Sequence, residues 1–279
     1  MPRYSAIALV LLLAGTVHAA DRTFDRTFTV SPGGSLVVEA DGASIKVSGA
    51  DTNQVTVHMN VRGSEKELAD LTIDATQNGN EVTATMRRTK GAKWFNWGWN
   101  AESSIEVTVP RRYDVSVRTG GGDIDLKDTV GAVKLSTSGG DVTAKNLNGT
   151  VVLRTSGGEI TADRVRGDVD ANTSGGDVRL LKIDGRIKGH TSGGNVRVSL
   201  VGTNRGISAT TSGGDVELTL PSGTTGNVMG STSGGDVSTD LPVTTKVMKE
   251  GRLEGTLNGG GEPIEARTSG GSIRLRSST

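Results

Sequence analysis

Thr137-Ser138-Gly139-Gly140-Asp141-Val142 stands intact again at residues 173–178, 211–216 and 232–237. Altered copies begin at Thr119 (Thr-Gly-Gly-Gly-Asp-Ile), Thr155 (Thr-Ser-Gly-Gly-Glu-Ile), Thr191 (Thr-Ser-Gly-Gly-Asn-Val) and Thr268 (Thr-Ser-Gly-Gly-Ser-Ile). The first five copies are 18 residues apart; the following steps are 20, 21 and 36, the last being two periods. A fixed period of this size predicts a solenoid of stacked coils.

The residues around the motif say what each coil is made of. Four positions before each Thr stand Val115, Val133, Val151, Val169, Ile187, Ile207, Val228 and Ile264. Five positions after it stand Ile124, Val142, Ile160, Val178, Val196, Val216, Val237 and Ile273. Both columns are β-branched throughout, and polar residues alternate with them, which is the pattern of a strand with one buried face. Each period then holds two short strands and two corners. One corner is the Gly-Gly pair. The other carries Gly131, Gly149, Gly167 and Gly185, again 18 apart. Both sets of glycines are expected to serve positive φ. Inward positions such as Ala144, Ala162 and Gly189 make the core thin. The fold predicted is all-β, a parallel β-solenoid (β-helix) of 18-residue coils, favoured over an antiparallel hairpin array by the strict period.

Three segments divide the chain. Residues 1–20 read as a secretory signal peptide, with Arg3, an apolar run over 6–14 and Val17-His18-Ala19 before the cleavage point. That run is too short to cross a bilayer, and no other transmembrane segment follows. Residues 21–112 read as a β-rich N-terminal cap, with strands over 27–30, 35–39, 43–47, 54–61, 81–88 and 103–109. Within it, Ser64 and Glu67 form a capping box for a short helix. Residues 113–279 read as solenoid repeats, with 242–261 a divergent coil carrying a loop. Coil edges left unpaired at the C-terminus are candidates for self-association.

Composition narrows the function. Lys plus Arg and Asp plus Glu are 31 each, so no basic stripe points to nucleic acid. There is no cysteine, hence no disulfide. Export without cysteine points to the bacterial envelope, periplasmic or extracellular at the cell surface. No residue set calls for a cofactor.

Candidate sites are few. Lys93-Trp94-Phe95-Asn96-Trp97-Gly98-Trp99-Asn100 holds all three tryptophans. Between the strands ending near Arg88 and starting near Ser103 it reads as a hairpin loop. Trp94, Phe95, Trp97 and Trp99 form an aromatic surface for a sugar ring, a membrane interface or a protein. The alternative is that Phe95, Trp97 and Trp99, at period two, plug the end of the solenoid. The column Asp123, Asp141, Glu159, Asp177, Asn195, Asp215 and Asp236 would repel itself at the coil spacing unless turn amides or Ca²⁺ satisfy it; corner capping is preferred. The Thr column suits hydrogen bonds within the stack better than an ice-binding face. His58 and His190 lie far apart, so no metal and no catalytic set is assigned. Arg179 and Arg197 near Glu217 read as mixed charge on a solvated sheet.

Several stretches resemble a known family. They are Val30-Ser31-Pro32-Gly33-Gly34, Ala43-Ser44-Ile45-Lys46-Val47, Ile105-Glu106-Val107-Thr108-Val109-Pro110, the Thr-Ser-Gly-Gly-Asp-Val coils, and Asn258-Gly259-Gly260-Gly261. Together they resemble the bacterial putative-adhesin family of β-strand-repeat proteins. The resemblance implies a β-solenoid at the envelope and brings no catalytic residues. It implies a non-catalytic, adhesin-like binding or scaffold protein with an envelope polysaccharide or a protein as partner. The alternative class is a carbohydrate-active enzyme, a polysaccharide lyase or hydrolase on a β-helix.

Overall fold

Two long sheets face each other across one continuous core. The computed structural model describes residues 20–89 and 102–278. A typical coil runs from Val133–Ser136 in the 13-stranded sheet, round the Thr-Ser-Gly-Gly corner, into Val142–Asn148 in the 12-stranded sheet. The next coil repeats the path one step on, through Val151–Arg154 and Ile160–Arg166. Pairing is parallel and in register, Val142 opposite Ile160 and Val133 opposite Val151. Both predicted β-branched columns are inside: Val142, Ile160, Val178 and Val151 have no exposed surface. Each such side chain contributes about 1.5–3 kcal/mol on burial, and the neighbouring coil provides the burial.

The two corners use glycine differently. The second glycine of each Gly-Gly pair is not in the left-handed region. It is glycine because the coils touch there: a Cβ on Gly140 would lie 2.3 Å from the Gly122 carbonyl oxygen, and one on Gly158 2.1 Å from that of Gly140. The expectation of positive φ fails at this corner; close backbone stacking sets the residue type. At the other corner it holds for Gly131, Gly149 and Gly167, at φ of 151°, 140° and 139°, and fails at Gly185, where a Cβ would lie 2.1 Å from the Gly167 carbonyl oxygen.

A third buried column escapes period-two reading. In Val142–Asn148 the burial alternation breaks at Lys145-Asn146, after which Leu147 is buried. Asn146 has φ 56°, and its counterparts Asp128, Arg164 and Lys182 have φ 61°, 56° and 55°. One left-handed residue shifts the parity, so Leu147, Val165 and Ile183 point inward as well.

Both ends of the stack depart from chain order. Gly34–Ala40 and Ser44–Ala50 form a coil lying between two others. On one side it pairs with Tyr113–Thr119 and Ile124–Lys127. On the other it pairs with Glu81–Arg88 and Glu102–Pro110. Antiparallel strands finish this end: Leu71–Asn78, which the sequence reading did not mark, on one sheet, and Gln54–Gly63 followed by Ala20–Thr29 on the other. The helix Glu65–Ala69 begins at the capping box of Ser64 and Glu67.

At the far end, Pro263–Arg267 lies between Ile207–Thr210 and Gly226–Ser231. Ile273–Ser278 lies between Val216–Pro221 and Val237–Thr239. The last coil in sequence is therefore an inner coil in space. Residues 242–261 are not a divergent coil: Val243–Lys249 and Arg252–Leu257 form an antiparallel hairpin added to Gly226–Ser231. The C-terminal strand is paired on both sides, so the free edges there are others. Val237–Thr239 is three residues long. Val243–Lys249 carries Lys246, Lys249 and a register shift between Thr245 and Val247, devices that blunt an edge against association.

Candidate functional site

The segment carrying Trp94, Phe95, Trp97 and Trp99 lies outside the described residues, but its two attachment points do not. Glu81–Arg88 belongs to the 13-stranded sheet and Glu102–Pro110 to the 12-stranded one. The segment is thus not the loop of a hairpin; it joins opposite sheets. Ala40 pairs with Met86, and Ser44 pairs with Ser104. Residues 41–43 suffice to turn this corner in one coil; in its neighbour the chain leaves one sheet at Arg88 and enters the other at Glu102. In sequence, the aromatic stretch lengthens the connection between these two strands well beyond three residues.

Beside the re-entry point is an open cleft of about 610 Å³. Its floor is a row of residues at one end of adjacent strands of one sheet. Ser44 lies opposite Ser104, and Ser104 opposite Asn60. Glu102, Ser103 and Asp123 complete the polar lining, with the Gly121-Gly122 corner as one wall. Arg62, opposite Glu102 in the pairing, is held by two hydrogen bonds to Asp21, of 2.8 and 3.2 Å. Those bonds hold the Asp21 carboxyl below the usual carboxylate range. The side-chain amide oxygen of Asn60 (Oδ1) is buried and accepts no hydrogen bond among the described residues. An unpaired buried acceptor costs about 1–3 kcal/mol. Hydroxyls, an amide and two carboxylates around a solvent-open cleft suit hydrogen bonding to a polyol. Sequence periodicity could not find this set, because Asn60 alternates like any outward strand residue and only the pairing brings it to Ser104.

The other columns singled out in the sequence are explained by the stack. Asp141 accepts the N–H of Glu159, its counterpart in the next coil, at 2.7 Å, and Asp123 accepts that of Asp141 at 2.9 Å. Asp177, Asn195 and Asp215 repeat the arrangement with Asn195, Asp215 and Ser272, each at 2.8 Å. The corner carboxylates cap the amides of the following coil. The Thr side chains are buried at every copy but Thr232, and their hydroxyls donate to backbone carbonyls of the neighbouring coil, Thr137 to Gly122 and Thr155 to Gly140, both at 2.9 Å. Buried hydroxyls cannot present an ice-binding face.

The charges on the outer sheet face compensate one another. Arg179 pairs with Glu159 and, at 2.9 Å, with Asp177; Arg197 pairs with Glu217 at 3.0 Å. His58 meets Asp25 at 2.6 Å in one sheet, while His190 meets Thr210 at 2.8 Å in the other. Among the described residues no helix is long and apolar enough to cross a membrane.

A family model described as Toastrack DUF4097 matches residues 34–276. Several solved structures are similar at low identity. A "putative cell adhesion protein" from Clostridium sporogenes is 13% identical over 92% of this chain and 100% of its own, with a TM-score of 0.32. A "putative adhesin" from Parabacteroides distasonis is 13% identical over 92% and 97%, at 0.39. A "putative lipid binding protein" from the same species is 14% identical over 92% and 97%, at 0.37. No curated protein matches the chain.

Proposed function

This chain belongs to the Toastrack DUF4097 family, and from that premise we propose that it is an exported, envelope-associated binding protein of adhesin type, without catalytic activity. Its contact surface is the aromatic insertion, Trp94, Phe95, Trp97 and Trp99, together with the polar cleft beside it. One observation supports this most: the chain between Arg88 and Glu102 is long and aromatic where three residues, 41–43, make the corresponding connection in the adjoining coil, and a polar cleft lies beside Glu102. Tryptophan faces and a row of hydroxyl and amide groups are the usual complement for sugar rings. The ligand class is an envelope polysaccharide, and the address is periplasmic or extracellular.

Co-sedimentation tests the proposal. The protein is mixed with peptidoglycan, outer-membrane vesicles or envelope polysaccharide, beside a folded variant carrying Trp94→Ala, Trp97→Ala and Trp99→Ala, and a second carrying Asn60→Ala. The wild type should pellet with one fraction, and both variants should pellet less. Equal pelleting of all three removes the insertion and cleft as the contact surface. Release of reducing ends or unsaturated sugars from any fraction would make the protein an enzyme instead.

A further inference from the structure

A second opening lies on another side of the solenoid, where the strand bends at its left-handed residue. This groove has a volume of about 690 Å³ and crosses successive coils from Arg111 to Gly202. One wall is the column Asp128, Asn146, Arg164 and Lys182, all with φ of 55–61°. Its members are linked coil to coil: Asn146 Nδ2 donates to Asp128 Oδ1 at 2.9 Å, and Arg164 Nε donates to Asn146 Oδ1 at 2.6 Å. The left-handed conformation suits Asp and Asn but disfavours Arg and Lys, so propensity does not explain why two cations stand there. The other wall includes Asn148 and Arg166, paired in register.

Charge along the groove is uneven. Arg164 is paired with Asp163 at 2.6 Å, and Arg111 with Asp51 at 2.8 Å. Arg166 and Lys182, both exposed, make no ion pair within 4 Å among the described residues, and Asp184 stands opposite Arg166 in the register. Near the opposite end are Asp128 and the Asn146 and Asn148 amides, a set that hydrogen-bonds hydroxyls. The step between coils is about 4.8 Å, comparable to the advance of one sugar unit along an extended chain.

We propose that this groove binds a linear polysaccharide containing acidic sugars, with a uronate carboxylate against Arg166 and Lys182 and neutral hydroxyls against Asp128, Asn146 and Asn148. A nucleic acid is a poorer fit, since a charge on every unit would also have to lie against Asp128 at the far end of the groove. An acyl chain is a poorer fit, because the exposed apolar side chains, Val130 and Val201, stand at opposite ends with polar groups between. The site shares no residue with the aromatic insertion or its cleft, so either can fail without the other.

Affinity electrophoresis and titration calorimetry test it, with polygalacturonate and alginate as acidic chains, dextran as a neutral chain and polyglutamate as an acidic chain without sugars. At least one polyuronate should bind and dextran should not. The double variant Arg166→Gln, Lys182→Gln should weaken that binding tenfold or more with an unchanged circular dichroism spectrum. The pair Arg274→Gln, Arg276→Gln, on another face, should bind as the wild type does. The variant lacking all three tryptophans should also keep its uronate binding. The inference is overturned if neither polyuronate binds, if polyglutamate binds as well as they do, or if the two arginine/lysine double variants lose affinity equally.

Discussion

Thr191, with no exposed surface, donates its hydroxyl to the Gly176 carbonyl of the preceding coil at 2.8 Å. The same oxygen accepts the Gly194 N–H of its own corner at 3.3 Å. One hydroxyl therefore satisfies two backbone groups that the Gly-Gly corner would otherwise bury unpaired. Thr191→Val keeps the shape and removes both bonds, so it should cost about 1–3 kcal/mol. At about 2–4 °C per kcal/mol for a domain of this size, calorimetry should resolve the drop. Thr191→Ser keeps the hydroxyl and should recover most of it. Equal melting of the valine variant and the wild type would leave the Thr column without the role given to it here.

The two glycines of one corner should respond in opposite directions. A Cβ on Gly140 would meet Gly122 backbone at 2.3 and 2.5 Å, and backbone cannot step aside cheaply. A Cβ on Gly139 would find nothing nearer than 3.7 Å, with φ outside the left-handed region. Gly140→Ala should destabilise by at least about 1–3 kcal/mol. Gly139→Ala should be neutral or stabilising by up to about 1 kcal/mol, through the unfolded chain. Urea denaturation of the pair checks the difference, and similar midpoints would contradict the stacking account.

Most of the architecture was legible because a repeat presents each constraint several times. Val142 alone is one valine; Val142, Ile160, Val178 and Val196 at fixed spacing are a strand column. The parts that were not legible involve pairings rather than repeats. Asn146 resets the alternation through one backbone angle, so period-two reading does not place Leu147 in the core. Nothing local in Ile273–Ser278 records that its neighbours will be Val216–Pro221 and Val237–Thr239. Asn60 and Ser104 become one cleft only through antiparallel register. The aromatic residues were conspicuous by composition, yet the sheets of the strands on either side of them follow from topology.

Tyr113 is the only tyrosine after Tyr4, which makes its titration directly visible. Its ring is buried and its hydroxyl donates to the Asn80 carbonyl at 2.6 Å. Burial first, and the nearby Glu81 charge second, raise its pKa above the ordinary value of 10.0. The folded protein thus prefers the neutral phenol. The resulting stability is complete below the unfolded value and is lost as pH rises through the folded one. In a protein lacking residues 1–20, absorbance at alkaline pH should show one phenol ionising above its free value. Tyr113→Phe should remove part of the alkaline loss of stability. A phenol titrating at or below the free value would contradict the buried hydrogen bond.

The inserted last coil makes the C-terminus matter more than its place in the sequence implies. In a solenoid stacked in chain order, removing the final coil costs one interface, and the remaining coils keep their pairing. Here residues 263–278 pair on both sides in both sheets. A chain ending at Gly261 therefore leaves Gly226–Ser231, Val237–Thr239 and the hairpin Val243–Lys249/Arg252–Leu257 without their bridge to Ile207–Thr210 and Val216–Pro221. Closing the gap would need the 226–239 coil to move one step along the stack. The connection over 222–225 would then have to shorten its span. Limited proteolysis with mass spectrometry should find the truncated chain cut throughout 222–261 and protected from 113 to 221. A shortened chain as resistant over 226–257 as the intact protein would mean that the coil had moved into the vacated place. The insertion would then be a matter of chain order and not of stability.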